Sequence, residues 1–174
     1  MSAIPTAYRT IIDPLIAVAR DILEQGEELV SIAFVGNLTS GLTYPVLMST
    51  TSDQAKDDSA YLIRHFAEIH QADFVFFITE AWGLPQEKMG RIDEILERYG
   101  SIGASPYHID LVTFSLETRH GLWLAQAAVK SKRVSKKKRT FGEPKFQHFT
   151  EVRGRFVDLL PVKEPDGDTS GILH

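Results

Sequence analysis

The chain has 174 residues, 43% of them hydrophobic and 24% charged, with no cysteine. That composition describes one ordinary globular domain; it excludes a disulfide-built scaffold, thiol catalysis, cysteine zinc sites and iron–sulfur ligation, and makes a reducing cytoplasm the expected home. The formal net charge of −4 conceals a division. Positions 130–139 hold seven of the 19 basic residues and no acid, so the other 164 positions carry 12 basic against 23 acidic residues, a net of −11.

Near the N-terminus, Arg9, Asp13, Arg20, Asp21 and Glu24 interrupt the apolar residues, which excludes a signal-peptide core over the first 25 positions. Asp13-Pro14 is a helix opening, because Asp caps free amides and Pro at the first helical position loses no hydrogen bond. Leu15, Val18, Ala19 and Ile22 then recur at helical spacing and Gly26 supplies a stop, so a helix is expected at 14–25, after a shorter turn at 5–12. Residues 29–35 are apolar on both faces, as in a central strand. A polar turn at 37–41 leads to a second strand through Tyr44, Val46 and Met48, in which Pro45 favours an edge position.

Capping side chains at 50–53 precede a helical stripe of Ala55, Ser59, Leu62, Phe66 and Ile69. The run from Asp73 to Glu80 is aromatic and β-branched throughout, a strand buried on both faces, with Trp82 and Gly83 ending it. Pro85 opens a helix lined by Met89, Ile92, Leu96 and Tyr99 and closed by Gly100. After a Gly- and Ser-rich bend at 100–106 comes a long hairpin, with strands near 108–117 and 121–130, expected to project at its turn. β-like pieces near 141–149 and 153–159 finish the sheet, and a polar segment ending at His174 reads as a flexible tail over 162–174.

The longest apolar stretches, near 74–78 and 122–129, fall well short of the roughly 20 residues a bilayer requires, so no membrane partner is expected. The element order implies a single α+β domain over 1–161, a mainly antiparallel sheet of five to seven strands with the first two helices packed on one face. The helix–hairpin–helix–three-strand order resembles profilin-like and roadblock-like domains with the helix at 85–99 inserted, a layout that serves dimerisation, signalling and ligand binding alike.

Three segments carry a further resemblance: Phe76-Phe77-Ile78-Thr79-Glu80-Ala81-Trp82, the hairpin from Asp110 to Gly121, and the ending Gly154-Arg155-Phe156-Val157-Asp158-Leu159-Leu160-Pro161. Together they resemble a diffuse group of bacterial and phage proteins without an established activity, over residues 28–161. Members usually show a His-Pro-Asp-Arg-like stretch before the hairpin, where this chain has Ser105-Pro106-Tyr107-His108-Ile109-Asp110. The resemblance implies an α+β fold and transfers no catalytic residue.

The strongest local signal is the basic run, with Lys130, Lys132, Arg133, Lys136, Lys137, Lys138 and Arg139. Seven positive charges in ten residues attract phosphates in a salt-sensitive, sequence-neutral way. The same run also reads as a solvated loop that guards a sheet edge, or as a device for docking onto an acidic surface, a second copy included. Glu80, at a buried strand's end among aromatics, is either an acid–base candidate or the partner of an arginine, with Arg119, Arg153 and Arg155 available. His108 and Asp110 share a strand face at i, i+2 and start a metal or hydrolase site only if another group, such as His148, returns alongside; His120 lies at the hairpin's other end.

No nucleophile elbow, Walker loop, dinucleotide fingerprint or His-Glu-x-x-His helix is present, so neither cofactor nor metal is expected. The leading expectation is a non-enzymatic bacterial or phage binding or assembly module acting through protein contacts, a homodimer included. The alternatives are a nucleic-acid-associated protein gripping phosphates with the basic run, and a hydrolase using Glu80, His108 and Asp110.

Overall fold

The computed structural model describes residues 3–132, 137–151 and 154–161. The chain runs α1 (Thr6–Glu24), β1 (Ile32–Gly36), β2 (Thr43–Leu47), α2 (Asp53–Ile69), β3 (Phe74–Gly83), a 3-10 segment (Gln86–Arg91), α3 (Ile92–Tyr99), β4 (Ile109–Thr118), β5 (Gly121–Ala128), β6 (Lys130–Ser131), β7 (Arg139–Thr140) and β8 (Gln147–Phe149). Six strands form one antiparallel sheet in the order β2-β1-β3-β4-β5-β8, and β6 pairs with β7 as a separate ribbon. The fold is therefore α+β with a mainly antiparallel sheet. Among the described residues no helix is long and apolar enough to cross a membrane.

Side-chain alternation along β3 decides the layering. Phe74, Phe76 and Ile78 pack with Tyr8, Ile12, Ile16 and Leu23 of α1, whereas Val75 and Phe77 pack with Ile63 and Ala67 of α2. Successive strand residues point to opposite faces, so the two long helices lie on opposite faces of the sheet, not on one. A strand apolar on both sides needs a cover on both, and that requirement overrides the one-face arrangement.

Helix α1 is a single helix with Pro14 inside it, instead of a turn and a helix divided there. Proline removes one hydrogen bond and crowds the preceding turn, typically costing ~3 kcal/mol. Burial of Ile4, Tyr8, Ile12, Ile16, Ala19 and Leu23 along one unbroken stripe offsets that cost. Of the expected stripe only Ala19 is buried, and Val18 is 54% exposed, because the sheet selects a face rotated from the one the sequence suggests. In α2 the buried set is Ser59, Ala60, Ile63 and Ala67, with Leu62 and Ile69 outside; in α3 it is Ile95 alone. Ser52 caps α2 by accepting from Ala55 N at 3.0 Å, and Gly100 ends α3 with φ of 82° in the left-handed region.

Pro45 sits on edge strand β2 as expected. Met48 N donates to Ser31 O and Leu42 O accepts from Asn37 N, so the even positions face β1 and the missing Pro45 N–H falls on the open side. It costs no ladder bond and interrupts the edge against pairing with another strand. The hairpin turn after Thr118 does not project. It lies beside the start of β3, where Phe74 pairs with Thr118 and Arg119 reaches the buried Asp73 at 3.4 Å. Residues 154–161 form no strand. They cross the α2 face as a strap of turns and bends, with Asp158 in the left-handed region at φ of 55°. Residues 162–174 lie outside the described residues.

Candidate functional site

The two helices cover different parts of the sheet. Under α1 lie Val112, Phe114 and Leu116 of β4 and Trp123, Ala125 and Ala127 of β5, all buried. The α2 cluster draws on β1, β2 and β3 but on neither β4 nor β5. On that face β4 presents Thr113, Ser115 and Glu117, the polar half of its alternating pattern, and β5 presents Leu122, Leu124 and Gln126. Here a cleft of about 270 Å³ opens, walled by Met48, Phe77 and Phe156 and floored by Thr79, Thr113, Ser115 and Gln126.

The cleft is uncharged, and its hydroxyls are only partly committed. Thr113 Oγ1 donates to Thr79 O and Thr79 Oγ1 donates to Glu80 O, both at 3.2 Å, which leaves each hydroxyl its accepting lone pairs. Cross-strand register sets Phe77 beside Ser115 beside Leu124, and Thr79 beside Thr113 beside Gln126. Apolar walls with a few convergent neutral polar groups are the make-up of a ligand or peptide site, at the small end of its usual size.

The strap closes one side. Phe156 meets Phe77 edge-on at 5.4 Å, Leu159 is 1% exposed, and Glu117 accepts from Leu159 N and Leu160 N, each at 2.9 Å. Burial pushes the Glu117 carboxyl above its ordinary value, against the pull of these backbone donors. Arg64 of α2 donates to Arg155 O, Val157 O and Asp158 O at 3.2–3.4 Å, and Arg155 pairs with Asp57 at 2.6 Å.

The residues singled out by sequence lie elsewhere. Glu80 and Asp110 are on the α1 face, where Trp82 pairs with Asp110, and the Trp82 ring meets His108 edge-on at 6.4 Å. Glu80 does find an arginine, but it is Arg139 of the basic run, at 3.1 Å. Arg119 is taken by Asp73 and Arg155 by Asp57, while Arg153 lies outside the described residues. His108 Nδ1 is 2.6 Å from Ser105 O. His148 returns at the opposite end of the hairpin, stacked on Trp123 at 4.4 Å with its Nε2 2.9 Å from His120 O, so it joins neither His108 nor Asp110. Among the described residues no three His, Asp or Glu side chains come together as a metal site.

The described parts of the basic run, 130–132 and 137–139, fold back on their own domain. Lys132 pairs with Glu24 at 3.4 Å, and Thr140 Oγ1 donates to the same carboxylate at 2.9 Å. The Thr140 hydroxyl, then Lys132, hold the Glu24 carboxyl below its ordinary range. Glu24 ends α1, where a carboxylate meets the negative pole of the helix, so Lys132 supplies the cation that this end favours. Lys130, Lys137 and Lys138 are exposed on the ribbon; Arg133 and Lys136 lie outside the described residues.

No family model, curated protein or solved structure matches this chain. The motif resemblance at Glu80-Ala81-Trp82 and at 154–161 therefore brings no relative whose site can be compared. Sequence reasoning missed the cleft residues Thr79, Thr113, Ser115 and Gln126 and the pins Arg64 and Glu117. One signal was present: along 112–117 Val, Phe and Leu alternate with Thr, Ser and Glu, the mark of a strand covered on one face only.

Proposed function

We propose that this protein is a non-enzymatic binding module of the cytoplasm that holds a neutral, extended segment of a partner protein in the cleft over β4 and β5. One observation carries the reading: the α2 face of β4–β5 combines apolar walls at Met48, Phe77 and Phe156 with uncharged hydrogen-bonding groups at Ser115 and Gln126. A charged occupant would lose its hydration there without a countercharge, which costs far more than a neutral amide that finds partners. The occupant is accordingly a backbone with one aromatic or branched apolar side chain, the type of anchor that dominates peptide and protein interfaces.

The test is selection of a displayed peptide library on the immobilised full chain, with Leu124→Arg as the counter-surface. Peptides retained by the wild type and lost at least tenfold by Leu124→Arg are the expected result; enrichment that is equal on both surfaces refutes the reading.

A second reading has its own observation, the three exposed lysines 130, 137 and 138 on the β6–β7 ribbon. In it the ribbon touches a polyanion against repulsion from the acidic body, which makes the contact local and salt-sensitive. Replacing those three lysines with Ser leaves the Glu24 and Glu80 ion pairs in place, so loss of a salt-dependent shift of duplex DNA supports it and unchanged binding ends it.

A further inference from the structure

The strap 154–161 is held the way a receptor holds a peptide. Two body side chains grip five of its backbone groups: Arg64 takes the carbonyls of Arg155, Val157 and Asp158, and Glu117 takes the N–H groups of Leu159 and Leu160. Neither grip reads the identity of a strap residue. Side-chain selectivity comes from Phe156 against Phe77, from Leu159 buried among the α2 cluster, and from Leu160 packed on its rim. Among the described residues the charged side-chain tie is Arg155 to Asp57 and Asp53, partly exposed and therefore weak.

The strap contributes no strand to the sheet, so its release breaks no ladder. Both grips stand on regular elements, α2 and β4, the kind of support that holds a binding group in position. Phe156 is at once the strap's aromatic anchor and a wall of the cleft.

We propose that residues 154–161 are the chain's own occupant of a peptide clamp formed by Arg64 and Glu117, and that the clamp accepts a partner segment with an aromatic residue followed three and four positions later by two leucines. This rests on the cleft reading above and adds a regulation to it: the partner displaces the strap before it extends over β4–β5. Because the tethered occupant competes, affinity is reduced by the fraction of chains whose strap is docked.

The experiment uses the full chain and the labelled octapeptide Gly-Arg-Phe-Val-Asp-Leu-Leu-Pro, read by fluorescence anisotropy. Wild type should bind it weakly, and Phe156→Ser/Leu159→Ser, whose own strap is disabled, at least tenfold more tightly. Adding Glu117→Leu to that variant should abolish binding, and a peptide with Ser at both anchors should bind none of them. Hydrogen exchange on the wild type guards against a misfolded variant: excess unlabelled octapeptide should accelerate exchange at the Leu159 and Leu160 amides. No binding together with unchanged exchange overturns the clamp. Leu124→Arg separates the two readings, since it should cost cleft-binding peptides their affinity and leave the octapeptide unaffected.

Discussion

Glu117 is the buried carboxylate on which the strap depends, and Glu117→Gln tests whether burial or hydrogen bonding governs it. Its oxygens accept from two backbone donors, which favours the anion, while removal from water favours the acid; burial is the larger effect and raises the group above its ordinary value. Between the unfolded and folded titration points the native chain keeps a proton that the unfolded chain has released. Stability contributed by this group therefore falls as pH rises through that window. Below it, the protonated side chain and glutamine are near-isosteres, each offering one acceptor oxygen to two N–H groups, so the two proteins should melt together. Above it, the variant is spared ionisation. Its advantage grows toward about 1.4 kcal/mol for every unit by which the folded value exceeds the unfolded one. With Tm moving roughly 2–4 °C per kcal/mol in a domain of this size, that is about 3–6 °C per unit. Thermal unfolding of both proteins followed by circular dichroism from pH 4 to pH 8 measures the difference. If glutamine instead loses ground as pH rises, the backbone donors outweigh burial and the reasoning fails.

Three further outcomes are expected. A Cβ at Gly36 would sit 2.0 Å from the fully buried ring of Phe74, so Gly36→Ala should lose about 1–3 kcal/mol in urea unfolding, and an unchanged midpoint would refute the close packing of β1 on β3. Leu116→Ala leaves a cavity under α1 that cannot collapse and should cost about 2–5 kcal/mol, whereas Leu159→Ala should cost less, because the strap can lift off instead of enclosing a void; equal losses would make the strap an integral part of the core. Glu24 is held below its ordinary range in the fold, so its contribution is present above the unfolded value and lost as pH falls through the folded one. Glu24→Gln should then melt below wild type at pH 7 and alongside it at strongly acidic pH; a gap that persists in acid would show that the loss is packing, not charge.

Local chemistry made much of the fold legible. Pro45 marks an edge, Ser52 a cap and Gly100 a stop, because each acts through its own backbone or its immediate neighbours. The aromatic run of β3 also announced a strand with two covered faces, and that alone is incompatible with both helices on one side. Helix faces were not legible. In α1 and α2 apolar residues occur on more than one side, and which stripe is buried depends on what lies opposite. Long-range partners were equally hidden: Arg139 reaches Glu80 across 59 positions, and Glu117 meets Leu159 across 42. The cleft was half legible, since alternation along β4 shows a face left without a helix but cannot say that Phe156 will wall it.

The cleft and the strap share one geometric cause. With neighbouring strands about 4.8 Å apart, the outer members of a six-stranded sheet stand roughly 24 Å apart, while a helix with its side chains is about 10–12 Å across. One helix on each face can cover only about half of it. Here the two covers are offset, with α1 over β3–β5 and α2 over β2–β3. The diagonal remainders are the outer part of β2 on the α1 side, where Leu47 is 68% exposed, and β4–β5 on the α2 side. The first is thin and guarded by Pro45, which denies an incoming strand its hydrogen bond. The second is wider, carries hydroxyl and amide groups beside apolar walls, and already has a segment of chain laid against it by Glu117 and Arg64. A sheet face that holds one segment of chain through its backbone has the means to hold another, and that places recognition at β4–β5 ahead of pairing along the β2 edge.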